Sequence, residues 1–409
     1  MRIAHFSDTF LPEVNGVSFA LQGFIREQEK KHLVRVYAPA YAKGKLIEKM
    51  GKVEVSRYYS VPLPMYKFAQ FTAPDLLDIF KSVNEFDPDI IHFHTPATLG
   101  VVGILIAKIM RVPLVGTYHT LFSELVEYVS VRKLLEKYLA AIDKVAAGMG
   151  LDLGLLRNGE QVKEDETGAQ KITWSVVNRI YKYGDMIVCP SAAIMRELVK
   201  RNISKGKLVE VPNGLELAKY VPKNNYRLTN RLLHVGRLGY EKNVDVVIKA
   251  FARLVRAKGL EKMQLVIAGD GPAKKELEKL AGDLAIKHRV KFLGMVRRDK
   301  LPRMYREADI FVTASDMETQ GLVVLEAMAS GLPIMAVDKY AMCDLVAEGV
   351  NGFKVSPGDE TGMAKKIMEL LNNEKMREEL GKKSREMSLD YGLPEVAQKL
   401  DRVYQSLIG

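Results

Sequence analysis

The sequence predicts a two-domain α/β protein in which each domain is built around a doubly wound parallel sheet. Strand and helix patterns alternate along the first half of the chain, and the same alternation starts again in the second half. Strands that alternate with helices are typical of parallel sheets, because a parallel connection needs a crossover segment. The length of 409 residues exceeds what one hydrophobic core usually supports, which also favours two domains.

The first half supplies the elements of the first sheet. Short apolar runs predict strands at 2–6, 33–38, 90–94, 114–118 and 186–190. Apolar residues at helical spacing predict helices at 17–31, 76–83, 101–110 and 192–201. A longer helical stretch begins at about residue 123, and we interpret residues 140–172 within it as a polar insertion.

The second half repeats the pattern after a polar segment, 219–230, which we interpret as the linker. Strands are predicted at 231–236, 264–268, 290–292, 310–313, 333–336 and 352–355, and helices at 244–257, 273–281, 301–307 and 393–407. We expect an N-terminal domain at 1–217, a C-terminal domain at 218–389, and a last segment, 390–409, that crosses back to the first domain. Doubly wound sheets bind ligands at the carboxyl ends of their strands, so we expect a site in the crevice between the domains.

Composition restricts the classes of function. Hydrophobic residues make up 47% of the chain and charged residues 27%, which is typical of a globular protein. The two cysteines, Cys189 and Cys343, are too few for a disulfide framework and fit a reducing cytosol. The chain opens on a short strand rather than a secretory signal, and its most apolar stretch, 99–106, is too short to span a bilayer.

The formal net charge of +11 is partly concentrated early, since residues 1–60 hold ten Lys or Arg against six Asp or Glu. A solvated basic surface, an anionic membrane face, anionic small substrates and nucleic acid all fit such a charge. Nucleic acid ranks last, because the sequence shows neither zinc-ligand spacing nor an aromatic-rich RNA-binding segment. We therefore expect no nucleic-acid partner.

The strongest chemical signal is the segment Glu-Thr-Gln-Gly-Leu-Val-Val-Leu-Glu, which runs from Glu318 to Glu326. It opens a helix directly after the strand predicted at 310–313, where free backbone N–H groups suit a phosphate or sugar hydroxyls. The two carboxylates can accept hydrogen bonds from a polyhydroxylated ligand, although a capping carboxylate and an ordinary helix glutamate also fit the spacing. The predicted binding residues in this segment are Glu318, Thr319, Gln320, Gly321, Leu322 and Glu326.

A second signal is Gly-Arg-Leu-Gly-Tyr-Glu-Lys, in which Arg237 and Lys242 follow a strand and a glycine turn. Arginine can bind a diphosphate through two parallel hydrogen bonds and lysine can add a point charge, although a surface loop with routine charges is the alternative. No Asp-x-Asp motif is placed to hold a metal, so we expect none.

Three further positions are candidates by their place at strand ends. Gly294 and Val296 follow the strand predicted at 290–292, and Gly16 starts a helix after the loop that follows the first strand. His119 follows the strand predicted at 114–118 and would face the site, although a lone histidine is more often structural. His92 and His94 lie in a strand and are interpreted as structural.

These motifs resemble those of glycosyltransferase family 4, whose fold is called GT-B. The resemblance covers nearly the whole chain and is strongest over 232–353. It implies a retaining hexosyltransferase with two Rossmann-like domains that face each other across a central cleft. In that family the counterpart of Glu318 lies beside the donor sugar and that of Glu326 grips the nucleotide ribose. The counterparts of Arg237 and Lys242 contact the donor diphosphate.

The resemblance extends to the weaker signals. It implies that the backbone at Gly294 and Val296 meets the nucleobase and that His119 lies beside the reacting sugar. The family usually has Gly-Gly-Val where this chain has Asn15 before Gly16, so Gly16 is the safer position for a close backbone approach. The substrate is then a nucleoside-diphosphate sugar, UDP-glucose being the expectation, with no tightly bound cofactor.

Two segments resemble the lipid-glycosylating branch of the family, such as diacylglycerol glucosyltransferases. They are the Thr-Gln-Gly that follows Glu318 and the Val-Pro-Leu-Pro-Met-Tyr-Lys at 61–67. The acceptor implied is a lipid at an anionic membrane surface, for a cytoplasmic enzyme peripheral on the inner face of the cell membrane. A soluble acceptor such as a sugar phosphate and a non-catalytic sugar-nucleotide sensor remain alternatives. An NAD enzyme is disfavoured, because no G-x-G-x-x-G follows the first strand.

Overall fold

The computed structural model divides the chain into two compact units, one made of Met1–Gly214 with Val396–Gly409 and the other of Leu215–Glu395. The structure describes residues 1–13, 15–41, 46–63, 66–72, 75–119, 121, 140, 143–144, 147–148, 154, 174, 177–203, 205–257 and 259–409. The helical stretch predicted from about residue 123 and the insertion predicted over 140–172 fall almost wholly outside these residues.

The first unit contains a mixed sheet that is parallel except at one edge. Its strands in the described part of the chain are β1 (Arg2–Phe6), β2 (Leu33–Ala40), β3 (Leu46–Met50), β4 (Val53–Leu63), β5 (Tyr66–Thr72), β6 (Ile90–Phe93), β7 (Leu114–Thr117), β8 (Met186–Cys189) and β9 (Leu208–Glu210). Their order is β3-β4-β2-β1-β6-β7-β8-β9, with β5 paired to β4. Strands β3 and β5 run antiparallel to β4, and the other pairs are parallel.

The second unit contains a wholly parallel sheet in the order β12-β11-β10-β13-β14-β15. Its strands are β10 (Arg231–Val235), β11 (Gln264–Ala268), β12 (Val290–Phe292), β13 (Ile310–Val312), β14 (Ile334–Val337) and β15 (Gly352–Val355). The chain winds outward from β10 in one direction and from β13 in the other. The carboxyl ends of β10 and β13 therefore flank a topological switch point, where ligands of such sheets bind.

Helices cover the faces of both sheets. The helices of the described part of the chain are α1 (Gly16–Gln28), α2 (Leu76–Phe86), α3 (Thr98–Met110), α4 (Ala192–Lys200), α5 (Val244–Leu254), α6 (Lys274–Asp283), α7 (Leu301–Glu307), α8 (Leu322–Ala329), α9 (Ala341–Leu345), α10 (Glu360–Leu371), α11 (Glu374–Ser388) and α12 (Leu393–Ile408). None of them combines the length and the apolarity that a membrane-spanning helix needs.

Strand β10 shows how the second sheet is buried on both faces. Leu232 packs into a cluster with Phe251 of α5 and Ile367 of α10. The next residue, Leu233, points to the opposite face and joins a cluster with Leu325 of α8 and Tyr305 of α7. Successive strand residues point to opposite faces, so adjacent buried leucines fit a sheet with helices on both sides.

The last helix, α12, packs on the sheet of the first unit. Val396, Leu400 and Val403 contact a cluster that contains Ile3 and Val115. Its Tyr404 is fully buried, and the Tyr404 hydroxyl lies 2.6 Å from Nδ1 of His92. The last residues of the chain therefore complete the core of its first unit.

The segment 219–230 is not the free polar linker that its composition predicts. Tyr220 and Tyr226 are 5% and 6% exposed, and both belong to the second unit. The Tyr226 hydroxyl donates a hydrogen bond of 2.9 Å to the Gly331 carbonyl, and buried Lys223 donates to the Ala308 carbonyl. Two aromatic anchors outweigh the polar residues between them, because each aromatic side chain buries a large apolar area.

We expect Leu400→Ala to lower the free energy of unfolding of the first unit by about 2–5 kcal/mol, because it leaves a cavity under α12. The neighbouring Lys399 is exposed, so Lys399→Ala should change it by no more than about 0.5 kcal/mol. Urea unfolding followed by circular dichroism compares the two variants. Equal stabilities would contradict a core role for α12.

Candidate active site

The loop after β10 begins at a close crossing of backbones. The Gly236 amide donates a hydrogen bond of 3.0 Å to the Ala268 carbonyl, and the Gly269 amide donates one of 2.9 Å to the Gly294 carbonyl. A Cβ at Gly269 would overlap the Gly236 carbonyl oxygen, so no larger residue fits there. The ends of β10, β11 and β12 are thereby held together at the residue that precedes Arg237.

An ion pair joins the loops that follow β10 and β13. Lys242 Nζ lies 2.6 Å from Glu318 Oε1, and each side chain is about a fifth exposed. Burial opposes ionisation of Glu318, but the Lys242 charge and hydrogen bond prevail and lower the pKa of Glu318. Nearby, Asn243 Nδ2 donates a hydrogen bond of 3.0 Å to Asp316 Oδ1. Both charges therefore lie at the switch point of the second sheet.

The second predicted phosphate-binding cation is also paired. Arg237 forms an ion pair with Glu241, whose side chain is 6% exposed while that of Arg237 is 31% exposed. A buried carboxylate holding one edge of the guanidinium restricts its rotamers, which favours a fixed orientation of the remaining N–H groups. Arg237 and Lys242 are thus both held by carboxylates of the same unit.

Helix α8 begins at Leu322, after the three residues Thr319, Gln320 and Gly321 that the sequence predicts to open it. Gly321 is its N-cap and has φ 80°, a left-handed conformation that favours glycine, so Thr319, Gln320 and Gly321 precede the helix. The Gly321 carbonyl accepts hydrogen bonds from the amides of Val324 and Leu325 at 2.9 and 3.2 Å. The helix proper starts at Leu322, four residues after Glu318.

Glu326 is buried in a polar cluster of its own unit. Its side chain is 1% exposed, with one carboxylate oxygen paired to Arg298 and the other accepting a hydrogen bond of 2.8 Å from the Tyr305 hydroxyl. Arg298 is 41% exposed and so extends from this cluster toward solvent. Arg298 is not among the residues predicted from the sequence, where its position two residues after Val296 is its signal.

The segment after β12 presents backbone rather than charge. Gly294 has φ 66°, and its carbonyl is the acceptor for Gly269 described above. Val296 is partly buried, whereas Leu293 and Met295 on either side of Gly294 are 46% and 70% exposed. The carboxyl end of β12 therefore has accessible apolar surface beside a glycine.

Gly16 is exposed at the start of α1, and a Cβ there would have no atom within 4 Å. The residue before it, Asn15, is the N-cap of this helix: its Oδ1 accepts a hydrogen bond of 2.9 Å from the Ser18 amide. Asn15 Nδ2 also donates one of 2.6 Å to Thr9 Oγ1. Asparagine in place of the family's glycine thus caps the helix and leaves the Gly16 backbone open.

His119 lies at the end of a line of buried imidazoles in the first unit. Its Nε2 is 3.0 Å from His94 Nδ1, His94 Nε2 is 2.9 Å from His5 Nδ1, and His5 Nε2 is 2.8 Å from Gln28 Oε1. Burial lowers the pKa of His119 to about 3 and that of His5 to about 4. These histidines are therefore neutral at pH 7.

The side chains best placed to hold a metal ion in the described part of the chain are His5, His92 and His94. One ring nitrogen of each lies within 4.8 Å of the others. All six ring nitrogens have hydrogen-bond partners, since His92 contacts Tyr404 and Thr117 at 2.6 and 2.7 Å. The protein's own hydrogen bonds therefore account for this cluster.

Comparison with known families assigns both halves of the chain. The sequence model described as Glycosyltransferase Family 4 matches residues 14–219, and that described as Glycosyl transferases group 1 matches residues 223–387. The first match covers half of the chain. The chain belongs to glycosyltransferase family 4.

Curated relatives of this glycosyltransferase include two enzymes of lipid synthesis. It is 29% identical to the alpha-monoglucosyldiacylglycerol synthase of Streptococcus pneumoniae, over 86% of this chain and 74% of that one. It is 24% identical to the enzyme of the same name from Acholeplasma laidlawii, over 100% and 98% of the two chains.

Among solved structures, the glycosyltransferase resembles Anabaena HepE in complex with UDP-glucose, with a TM-score of 0.70 at 20% identity over the whole of both chains. The likeness confirms the predicted α/β fold of the GT-B class.

We expect acid to destabilise this glycosyltransferase before its carboxylates titrate. The unfolded chain binds protons on its histidines below about pH 6.5, whereas folded His5 stays neutral to about pH 4. Stability should therefore fall as the pH drops through this range, each buried histidine adding up to about 1.4 kcal/mol per pH unit. His92, whose pKa burial holds well below its ordinary value, contributes in the same direction.

Melting temperatures measured from pH 7.5 to pH 4.5 test this prediction. The variant His92→Leu should show a shallower acid loss than the wild type, and His288→Gln, which changes an exposed histidine, should match the wild type. An acid profile in His92→Leu that is as steep as that of the wild type would contradict the prediction.

Proposed function

We propose that the protein is a retaining glycosyltransferase that moves glucose from UDP-glucose to a hydroxyl of a membrane lipid such as diacylglycerol. The observation that carries the proposal is the Lys242–Glu318 ion pair at the switch point of the second sheet. It places a cation for a diphosphate and a carboxylate for sugar hydroxyls within one hydrogen bond of each other. The relatives that synthesise a glucosyl lipid support the choice of sugar and acceptor.

In this proposal the donor diphosphate replaces the carboxylate partners of two cations. Lys242 and Arg237 are neutralised by Glu318 and Glu241, so the site carries little net charge before the substrate arrives. A diphosphate can compete for both cations, because it brings more negative charge than a single carboxylate and offers several oxygens for charge-assisted hydrogen bonds. Glu318 is then released toward the hydroxyls of the sugar.

The same groups act on the leaving group during transfer. As the anomeric bond breaks, negative charge grows on the diphosphate, and Lys242 and Arg237 stabilise it in place. The acceptor hydroxyl attacks from the face that the diphosphate leaves, which retains the anomeric configuration without an enzyme nucleophile. Glu318 and His119 hold sugar hydroxyls in this step.

The nucleoside is proposed to bind along the end of β12 and beside the polar cluster of Glu326, Arg298 and Tyr305. The backbone at Gly294 and Val296 contacts the base, beside the exposed side chains of Leu293 and Met295. Glu326 accepts hydrogen bonds from the ribose hydroxyls, which requires Arg298 to give up one carboxylate oxygen. A flexible, partly exposed arginine can make this exchange, whereas Tyr305 is fully buried and keeps its own hydrogen bond.

The lipid acceptor is supported by relatives and by charge. Both relatives reported above are named for a glucosylated diacylglycerol. The net charge of +11 favours approach to an anionic membrane surface, where each basic residue adds about 1 kcal/mol of attraction. We propose a peripheral enzyme at the inner face of the cell membrane, where sugar nucleotide and lipid are both available.

Substitutions of the ion pair should separate nucleotide binding from transfer. Lys242→Met should weaken UDP binding about tenfold or more, because one charge-assisted phosphate contact is lost. Glu318→Gln should bind UDP at least as tightly as the wild type, since Lys242 is released, and yet transfer glucose more slowly. Titration calorimetry with UDP and an initial-rate assay with UDP-glucose measure the two quantities.

The chain offers a matched control for this pair. Lys249 lies 2.8 Å from Asp245 on the first turns of α5, and these side chains are 40% and 42% exposed. Lys249→Met and Asp245→Asn should leave UDP affinity and transfer unchanged. Equal loss of UDP binding in Lys242→Met and Lys249→Met, or weaker UDP binding in Glu318→Gln, would contradict the proposed site.

The acceptor is tested by offering lipid and soluble acceptors together. With UDP-glucose and vesicles containing diacylglycerol and an anionic lipid, mass spectrometry should detect glucosyl-diacylglycerol. Co-sedimentation with these vesicles should weaken at high salt, and neutral vesicles should bind less, because the attraction is electrostatic. Glucose found only on a sugar phosphate would refute the lipid acceptor, and nucleotide binding without transfer or hydrolysis would indicate a sensor.

A further inference from the structure

A continuous line of hydrogen bonds connects helix α1 to the residue at the end of β7. It runs from Gln28 through His5 and His94 to His119, with nitrogen–acceptor separations of 2.8, 2.9 and 3.0 Å. Gln28, His5 and His94 are 1%, 0% and 0% exposed. Residues on α1, β1 and the end of β6 thus reach His119 through contacts that exclude solvent.

The order of donors along this line follows from the chemistry of imidazole. A neutral imidazole carries one N–H, so it donates from one nitrogen and accepts at the other. The Gln28 Oε1 atom only accepts, and His5 Nε2 therefore donates to it. His5 Nδ1 then accepts from His94 Nε2, and His94 Nδ1 accepts from His119 Nε2. The remaining nitrogen of His119, Nδ1, carries no proton.

A second set of contacts orients the amide that anchors the line. Gln28 Nε2 donates a hydrogen bond of 3.4 Å to the Tyr404 hydroxyl, which lies 2.6 Å from His92 Nδ1. The hydroxyl can accept from Gln28 and donate to His92 at the same time. The amide oxygen of Gln28 is left facing His5. Rotating the amide by half a turn would reverse every donor in the line, so Gln28 determines its direction.

We propose that Gln28, His5 and His94 are positioning residues that hold His119 as the Nε2–H tautomer, with Nδ1 presented as a hydrogen-bond acceptor to a hydroxyl of the donor sugar. The identity of the bound hydroxyl rests on the proposed function, whereas the tautomer does not. An acceptor at this position selects a sugar hydroxyl that donates, and so orients the sugar ring. The opposite tautomer would present an N–H group and require the hydroxyl to rotate away.

The tautomer is measured directly in the wild-type protein. Long-range proton–nitrogen correlation spectra of the ¹⁵N-histidine-labelled full chain distinguish protonated from bare ring nitrogens, and His119→Gln identifies the His119 signals. We expect a bare Nδ1 and a protonated Nε2 at His119, and the same pattern at His94 and His5. A protonated Nδ1 at His119 would overturn the proposal.

Kinetics distinguish positioning from simple structural support. His94→Leu breaks the line to His119, and Ile79→Ala removes a fully buried side chain of α2 that takes no part in the line. Both should lower the melting temperature, but only His94→Leu should lower kcat, by about tenfold, the worth of one well-aligned hydrogen bond. Equal kcat values in the two variants would overturn the proposal.

A conservative variant provides the rescue. His94→Asn places an amide oxygen near the position of Nδ1, where it can accept from His119 Nε2. It should restore most of the kcat lost in His94→Leu and keep the His119 tautomer in the nitrogen spectra. If the wild type transfers no sugar to any acceptor, the proposed function fails, and the spectra of the wild type still decide the tautomer.

Discussion

The Lys242–Glu318 ion pair joins the two loops that leave the second sheet where its strand order reverses. Reversal at β10 and β13 separates the helices that follow these strands and opens a gap at their carboxyl ends. A lysine and a glutamate bridge that gap at 2.6 Å, and Asn243 adds a hydrogen bond to Asp316 beside them. The pair favours the ionised form of Glu318 and holds both groups close to where we propose that a phosphorylated sugar binds. Its replacement by a diphosphate is the step from which we derive donor binding, leaving-group stabilisation and the release of Glu318.

The strand ends of the two units are organised by different interactions, backbone contacts in the second unit and side-chain contacts in the first. In the second unit, glycines allow strand ends to approach closely: the Gly236 amide donates to the Ala268 carbonyl, and the Gly269 amide donates to the Gly294 carbonyl. In the first unit, the strand ends carry side chains instead, and buried imidazoles form a line of hydrogen-bond contacts that ends at His119. We therefore propose that the second unit offers charges that exchange partners, and that the first unit offers a neutral acceptor that stays in place.

The fold class and the family were predictable from the sequence, because strand–helix alternation and the segment from Glu318 to Glu326 are local signals. Strands at 2–6, 264–268, 290–292 and 352–355 agree with β1, β11, β12 and β15 residue for residue. Strand β3 was missed because it shows no buried alternation, with Leu46 and Ile47 about half exposed. Helix α11 was missed because Arg377, Gly381 and Ser384 form much of its buried face in place of an apolar stripe.

The candidate site was predictable as a set of residues but not as a set of contacts. The pairing of Arg237 with Glu241, of Lys242 with Glu318 and of Arg298 with Glu326 depends on how loops from different strands approach each other. For the same reason His94 was interpreted as a strand residue of structural value only, since its neighbours His5 and His119 are distant in sequence. The roles assigned to these residues in donor binding stay predictions, and one measurement tests them most directly. A crystal structure of the protein with UDP should show Lys242 Nζ about 3 Å from a phosphate oxygen and the Lys242–Glu318 contact broken. UDP bound with that contact intact would contradict the account.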